Sequence, residues 1–162
     1  MALRTIRMLG DEILKKECRP VKELTPRLRE LIDDMLETMY DAGGVGLAAP
    51  QVGVLRRIVV IDVGDGPVVM VNPLILETDG EQTGDEGCLS YPGKCGTVTR
   101  PNYVKAAAYD ENMEYYEIEA EELMARAICH ETDHLDGHMY VEKVEGEIRD
   151  AVYEEEPEEE EA

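Results

Sequence analysis

The change of hydrophobic period along the 162 residues is the feature that most constrains the fold. Apolar residues recur every three or four positions from Leu28 to Met39, which predicts an amphipathic helix with Thr25 as its N-cap and an end near Tyr40. β-branched runs fill the middle of the chain, and helical spacing returns from Glu121 onwards. Two helices that flank many short strands predict an α+β domain with helices packed on antiparallel sheet.

The predicted strands are separated by turn residues. They cover 57–63, 68–71, 74–77, 96–100, 103–109 and 114–119. Gly64 to Pro67 is the predicted turn of one hairpin, and Asp110 to Asn112 is that of another. Residues 43–53 contain Gly-Val-Gly, but this stretch follows a helix and meets Pro50, whereas a dinucleotide-binding loop follows a strand. We therefore predict no nucleotide site.

Composition excludes several classes of protein. Phe and Trp are absent, so the core must consist of Leu, Ile, Val, Met, Ala and Tyr. No apolar run approaches the roughly 18 residues of a membrane span and the amino terminus lacks a signal-peptide segment, so we expect a cytoplasmic protein without membrane contact. With 16 basic and 37 acidic residues the net charge is −21, and direct nucleic-acid binding is not expected. The four cysteines form no Cys-x-x-Cys pair, which argues against a disulfide framework.

Part of the negative charge is local. Tyr153 to Ala162 contains seven Glu and no basic residue, which predicts a solvated, disordered segment. We therefore divide the chain into a single domain, residues 1–150, and an acidic tail, residues 151–162. Ribosomal RNA would repel such a tail, so we assign it no role in ribosome docking.

His130 to His134 reads His-Glu-x-x-His on the second predicted helix. Two imidazoles four residues apart share a helix face and can hold one metal ion. Glu131 lies beside the first of them, where it can take a proton from water activated by the metal. The alternative is a surface helix that carries two histidines by chance. Because the chain has only three His, we favour the metal site.

The motif does not name the third ligand. Tyr140 occupies the position of the third His of metzincin proteases, and the downstream Glu of thermolysin-like proteases would fall at Glu154 to Glu156 in the acidic tail. His138 follows Gly137, the expected helix cap, and is predicted to be a surface residue.

Cys88 is the remaining candidate. A thiolate with two imidazoles leaves a coordination position open, as catalytic sites require. Without the His pair, Cys88 would be interpreted as a small buried apolar residue. Its neighbour Glu86 is a candidate partner for holding the site.

Three segments together resemble the motifs of the peptide deformylase family. They are Gly44–Gln51 (GVGLAAPQ), Glu86–Ser90 (EGCLS) and His130–Gly137 (HETDHLDG). They stand in the order of the family with similar separations, and the likeness extends from Ile6 to about Val144. The resemblance implies antiparallel β-sheets packed around a central C-terminal helix that carries His-Glu-x-x-His, together with an N-terminal helix.

The resemblance also implies roles for individual residues. Cys88, His130 and His134 would bind one divalent metal ion, with iron (Fe2+) expected first and Zn2+, Ni2+ or Co2+ as alternatives. Glu131 would be the general base and then the general acid. The resemblance further assigns oxyanion stabilisation to the Gln51 amide and the Leu89 N–H, pairing with an extended substrate to Val45 and Gly46, and the walls of a methionine pocket to Val45, Leu123 and Ala127.

The implied activity is hydrolysis of a linear amide, the removal of the N-terminal formyl group from the formyl-methionine of newly made proteins. Its partners would be N-formyl-methionyl nascent peptides, with transient proximity to the ribosome. A small metallopeptidase is an alternative, although a Cys ligand argues against it. A non-catalytic metal- or peptide-binding module is another, but binding alone needs neither Glu131 nor Gln51.

Three side chains keep open interpretations at this point. Gln51 could instead be a turn residue that satisfies local backbone groups. Cys95 stands where many relatives carry a polar or basic residue, which leaves the contacts on that side of the groove open. Cys129 is predicted to be a packing residue.

Overall fold

The computed structural model describes residues 2–151, so the predicted acidic tail beyond Ala151 lies outside the described residues. The described part contains two α-helices, three short 3-10 helices and eight strands. The helices are α1 (Pro26–Asp41) and α2 (Glu122–Leu135), and short 3-10 helices cover Glu12–Lys15, Ala49–Val52 and Tyr140–Lys143. The strands are β1 (Gly46–Ala48), β2 (Ile58–Ile61), β3 (Val68–Asp79), β4 (Gln82–Cys88), β5 (Tyr91–Arg100), β6 (Tyr103–Tyr109), β7 (Tyr115–Glu121) and β8 (Glu145–Asp150). The predicted α+β class is confirmed.

The first helix begins where the sequence predicts. Thr25 is its N-cap, and the Oγ1 atom of Thr25 accepts a hydrogen bond from the Leu28 N–H at 3.3 Å. Pro26 occupies the first helical position, where its missing N–H costs no hydrogen bond. Met35 and Met39 on the apolar face are completely buried, so the predicted amphipathic period does mark the core-facing side.

The strands form two antiparallel sheets. The larger has the order β1-β2-β3-β6-β7, and the smaller has the order β4-β5-β8. Both predicted hairpins are present, because Ile61 pairs with Val68 across the first turn and Tyr109 pairs with Tyr115 across the second. The smaller sheet carries the Glu86–Ser90 motif at the end of its first strand.

Several strand predictions differ from the structure. The predicted strands 68–71 and 74–77 form the single strand β3, which continues past Pro73 through a register shift opposite β6. The sequence reasoning missed β1, β4 and β8. In β4 two glycines and alternating polar residues weaken the apolar pattern, and all six residues of β8 are exposed, so neither has a hydrophobic period to detect.

The five-stranded sheet lies between the two helices. Successive residues of β2 point to opposite faces, so Val59 and Ile61 pack in the cluster that includes α2. Ile58 and Val60 pack in the other cluster, with the apolar face of α1. Because a helix covers each face of the sheet, all four residues of β2 are fully buried. The sequence of this strand is therefore a continuous apolar run.

The second helix is the centre of the molecule. Ten of its 14 residues are buried, and it contacts strands of both sheets, as the resemblance implies. Gly137 follows the helix with φ +82°, and a Cβ there would lie 2.5 Å from the Lys15 carbonyl oxygen. The predicted cap is therefore confirmed as a position that only glycine fits. Among residues 2–151, no helix is long and apolar enough to cross a membrane.

Candidate metal centre and active site

Cys88, His130 and His134 come together in the structure. Their ligand atoms all lie within 4.8 Å of one another. The Nε2 atoms of the two histidines are 3.2 Å apart, and the Cys88 Sγ atom is 3.3 Å from Nε2 of His134. Consecutive turns of α2 supply the imidazoles, and the end of β4 supplies the thiol. One thiolate with two imidazoles is a donor set that suits zinc and iron, so the residues present fit a divalent ion.

Buried ionic contacts support the cluster of Cys88, His130 and His134. Glu86 Oε2 lies 3.4 Å from Nδ1 of His130, in agreement with its predicted supporting role. Arg100 donates to both carboxylate oxygens of Glu86, at 2.7 and 3.2 Å, and to Asp133 at 2.7 Å. Burial alone would raise the pKa of Glu86, but the hydrogen bonds from His130 and Arg100 lower it to about 2. Glu86 is therefore an ionised carboxylate that orients the His130 ring.

A second buried arginine fastens the same parts together. Arg126 of α2 donates to the Val98 carbonyl of β5 at 3.0 Å and to the Gln82 side chain of β4 at 3.3 Å, and it lies 3.5 Å from Glu86. Thus the helix that carries the histidines is tied to the hairpin that carries the cysteine. The sequence reasoning missed Arg100, Arg126 and Asp133. One signal was present, because Arg126 precedes His130 by four residues and shares its helix face.

Glu131 is buried in a different environment. Its Oε2 atom lies 4.0 Å from Nε2 of His130, and its Oε1 atom has no hydrogen-bond partner among the described residues. Burial raises the pKa of Glu131 to about 7. The close neighbour Gly46 explains why this side chain fits, since a Cβ at that position would lie 2.5 Å from the Glu131 carboxylate. The site thus holds a carboxyl group able to exchange protons near neutral pH.

The side chain of Gln51 makes the local backbone contact expected of a turn residue and also lies beside Cys88. Its Oε1 atom accepts the Ala48 N–H at 2.9 Å, which is the local backbone role. Its Nε2 atom donates to Ser90 Oγ at 3.0 Å and lies 3.4 Å from Cys88 Sγ, so the amide also faces the candidate metal ligands. Gln51 does not line the open cavity described next. Ser90, whose role the sequence reasoning missed, is completely buried and fixes the amide.

A cavity of about 550 Å³ opens in front of the triad. Its lining includes the four residues expected at the substrate groove and pocket, together with ligands and catalytic candidates; they are Val45, Gly46, Cys88, Leu89, Leu123, Ala127, His130 and Glu131. Val45 is 42% exposed and Leu123 is 47% exposed, and both line the cavity. The cavity therefore offers uncovered apolar walls next to the candidate metal centre.

Ion pairs surround the mouth of this cavity. The side chain of Arg149 pairs with Asp85, and that of Lys94 pairs with Asp150. Arg149 lies on β8, which the sequence reasoning missed, and it is the strand partner of Cys95. The sequence left open which polar contacts lie on the Cys95 side of the groove. In the structure Cys95 is buried, and Arg149 on the neighbouring strand β8 supplies the cation on that side.

Three further residues lie outside the ligand set. Cys129 is buried in the core cluster, so its interpretation as a packing residue is confirmed. His138 is exposed and pairs with Glu142 at 3.2 Å. Tyr140 is not a ligand; its ring stacks on His130 with centroids 6.0 Å apart and an interplanar angle of 25°.

Known proteins share this sequence and fold. The polypeptide deformylase family profile matches residues 3–149. The peptide deformylase of Agathobacter rectalis is 72% identical over 154 residues, which are 95% of this chain and 98% of that protein. That of Lachnoclostridium phytofermentans is 64% identical over 98% of this chain and 100% of that protein.

Solved structures agree. Peptide deformylase from Thermotoga maritima superposes with a TM-score of 0.87 at 41% identity, covering 89% of this chain and 99% of that chain. The Ehrlichia chaffeensis peptide deformylase in complex with actinonin also gives a TM-score of 0.87, at 34% identity over 90% of each chain. Together with the Cys-His-His cluster and its neighbouring glutamate, these matches show that the chain belongs to the polypeptide deformylase family.

Proposed function

We propose that this chain is a metal-dependent hydrolase that removes the formyl group from N-formyl-methionyl peptides, acting on nascent proteins in the cytoplasm and in transient proximity to the ribosome. The observation that carries the proposal is the convergence of one thiol and two imidazoles beside a buried carboxyl group whose pKa is about 7. The names of the relatives support the choice of substrate.

Cys88, His130 and His134 would hold the metal ion. When bound there, a divalent ion would act as a Lewis acid and make water nucleophilic near neutral pH. Burial lowers the pKa of His134 well below its usual value. Glu131, Cys88 and Glu86 outweigh burial at His130 and raise its pKa, so His130 would give up a proton when a metal ion binds there. We assign Fe2+ first, with Zn2+, Ni2+ or Co2+ as alternatives. Intrinsic affinity favours zinc over ferrous iron, so the supply of metal in the cell decides between them.

Glu131 would carry the protons. As a carboxylate it takes a proton from the attacking water, and as a carboxylic acid it gives that proton to the amine that leaves the formyl carbon. Both steps need a group that changes charge near the working pH, and the burial of Glu131 provides that property. Its Oε1 atom has no hydrogen-bond partner within residues 2–151, which leaves one oxygen free for this exchange.

Gln51 and Leu89 would stabilise the negative charge that develops on the formyl oxygen. The Gln51 amide is fixed by Ser90 and directed at Cys88, so one N–H is already oriented towards the ligands. The Leu89 N–H follows the metal ligand Cys88 directly in the chain. Such fixed donors are each worth about 3 kcal/mol in known oxyanion sites.

Val45 and Gly46 would bind the peptide, and the apolar walls would bind the methionine side chain. The backbone at Gly46 can approach a substrate closely because it carries no side chain. Val45, Leu123 and Ala127 surround a space in which an apolar side chain loses contact with water, worth about 2 kcal/mol.

The test is formate release from formyl-Met-Ala-Ser by anaerobically purified protein, with the metal content of the same sample measured in parallel. We expect formate to form in proportion to bound metal and actinonin to inhibit the release, since relatives of known structure bind it. Cleavage of unformylated peptides by the metallated protein would instead support a metallopeptidase. If fully metallated protein shows neither activity, the proposed hydrolase function is wrong.

A further inference from the structure

A second cavity, of about 880 Å³, shares no lining residue with the first. Five basic side chains line it around the start of α1, namely Arg4, Arg19, Lys22, Arg27 and Arg56. We call it the basic groove. Only two acidic residues line it, Glu23 and Glu30, and its floor includes apolar side chains such as Val21 and Leu31. The groove is therefore net positive in a chain whose net charge is −21.

Four of the five cations of the basic groove are unpaired within residues 2–151, unlike those of the first cavity. Around the first cavity Lys94, Arg126 and Arg149 each pair with a carboxylate. In the basic groove Arg4 pairs with Asp34, whereas the other four side chains make no ion pair or hydrogen bond within residues 2–151. Carboxylates outnumber bases by more than two to one in this chain, so this concentration of unpaired cations indicates an anionic partner.

We propose that the basic groove binds the acidic segment 153–162 of the same chain. This segment carries seven Glu and no base. A long polyanion such as RNA would be repelled by the rest of this acidic surface, whereas a ten-residue segment need meet only the groove. Charge complementarity and size therefore favour the segment.

The segment is also long enough for this contact. Glu161 lies ten residues beyond Ala151, the last described residue, which allows a reach of about 35 Å. Ala151 lines the first cavity together with Ala42, which follows α1, and the 16 residues of α1 span about 24 Å from there to the groove at the start of the helix. The last glutamates of the extended segment can therefore reach the groove.

Zero-length carbodiimide cross-linking of the full-length protein tests the contact. The reagent activates a glutamate carboxyl, and the Lys22 amine attacks it to form an amide while the reagent leaves as its urea. Lys22 is the only lysine of the basic groove. We expect mass spectrometry to find Lys22 joined to residues within 158–161 in a product of monomer mass. Lys16 is the internal control, because it is exposed and makes no ion pair but lies outside the groove.

Matched variants separate the groove from general surface charge. Arg19→Ser with Arg27→Ser should lower the Lys22 cross-link several-fold, whereas Arg29→Ser, on the same helix but outside the groove, should leave it unchanged. About 1 M NaCl should also lower it, because the screening length then falls to about 3 Å. Circular dichroism checks folding, which these exposed positions should not disturb.

Four results would overturn the proposal. They are equal cross-linking at Lys16 and Lys22, an unchanged Lys22 link in the double variant, a product of dimer mass, and tight binding of a labelled RNA oligonucleotide that the double variant loses. Formate release is not measured, so failure here is distinct from failure of the proposed hydrolase function.

Discussion

Glu86 and Glu131 both lie against His130, and their side chains are equally buried, at 5% exposure each. Their pKa values nevertheless move in opposite directions, to about 2 for Glu86 and about 7 for Glu131. Glu86 accepts hydrogen bonds from Arg100, whereas one oxygen of Glu131 has no partner among the described residues. Burial raises the pKa of both carboxyl groups, and only Glu86 has the hydrogen-bond donors that reverse this effect and keep it ionised.

The largest expected effect comes from Glu131→Gln, which keeps the shape and removes the titrating group. We expect formate release to fall about 10³-fold, within the range for loss of a general base, while bound metal and stability change little. Parallel assays of turnover and metal content measure this. Full turnover by a metallated variant would show that Glu131 is not the proton carrier.

Glu86→Gln should affect stability instead. It leaves the buried Arg100 with Asp133 as its remaining ionic partner, and breaking a buried pair of this kind costs at most about 3–5 kcal/mol. Metal affinity should fall about 10- to 100-fold, because the His130 ring loses its support. Chemical denaturation and metal titration measure these two quantities.

Glu117→Gln is the control for this experiment. Its ion pair with Lys105 is partly exposed, at 43% for the glutamate, so its loss should cost less than about 1 kcal/mol. Equal small losses in both variants would mean that the buried network does not stabilise the fold.

The buried ion pair of Glu86 with Arg100 also predicts how the stability of the protein depends on pH. The folded pKa of Glu86, about 2, lies below its ordinary value of 4.5, so its stabilisation is complete above pH 4.5 and is lost as the pH falls towards 2. The difference corresponds to on the order of 3 kcal/mol. Denaturation of the wild type and Glu86→Gln between pH 6 and 3 should show the stability gap narrowing in acid. A gap that stays constant would contradict an ionised Glu86.

The candidate metal ligands of α2 and the neighbouring glutamate could be predicted from the sequence, because their arrangement depends only on local spacing along the helix. His130 and His134 share a helix face by spacing alone, and Glu131 is their chain neighbour. Cys88 needed the motif around it as well as the His pair. The first helix and both hairpins were also predictable, since their caps and turns use characteristic residues.

The support of the site could not be read in this way. Arg100 reaches Glu86 across 14 residues of the chain, and Arg126 reaches it across 40. Such contacts exist only after the β4–β5 hairpin packs on α2, so no local period or motif encodes them. The strand β8 could not be predicted for a different reason. All of its residues are exposed, so its sequence contains no apolar pattern.

The comparison of the two glutamates is sharpened by Gly46→Ala. The added Cβ would lie 2.5 Å from the Glu131 carboxylate, so that side chain must move, whereas Glu86 is untouched. Displacement of a catalytic group by about 1 Å costs roughly 100-fold, and we expect that loss in kcat/KM with the metal retained. Gly84→Ala is the control, since its Cβ would meet only Arg126, at an ordinary 3.6 Å. If both variants keep full activity, Glu131 tolerates displacement, and its catalytic activity does not depend on the space that Gly46 leaves beside it.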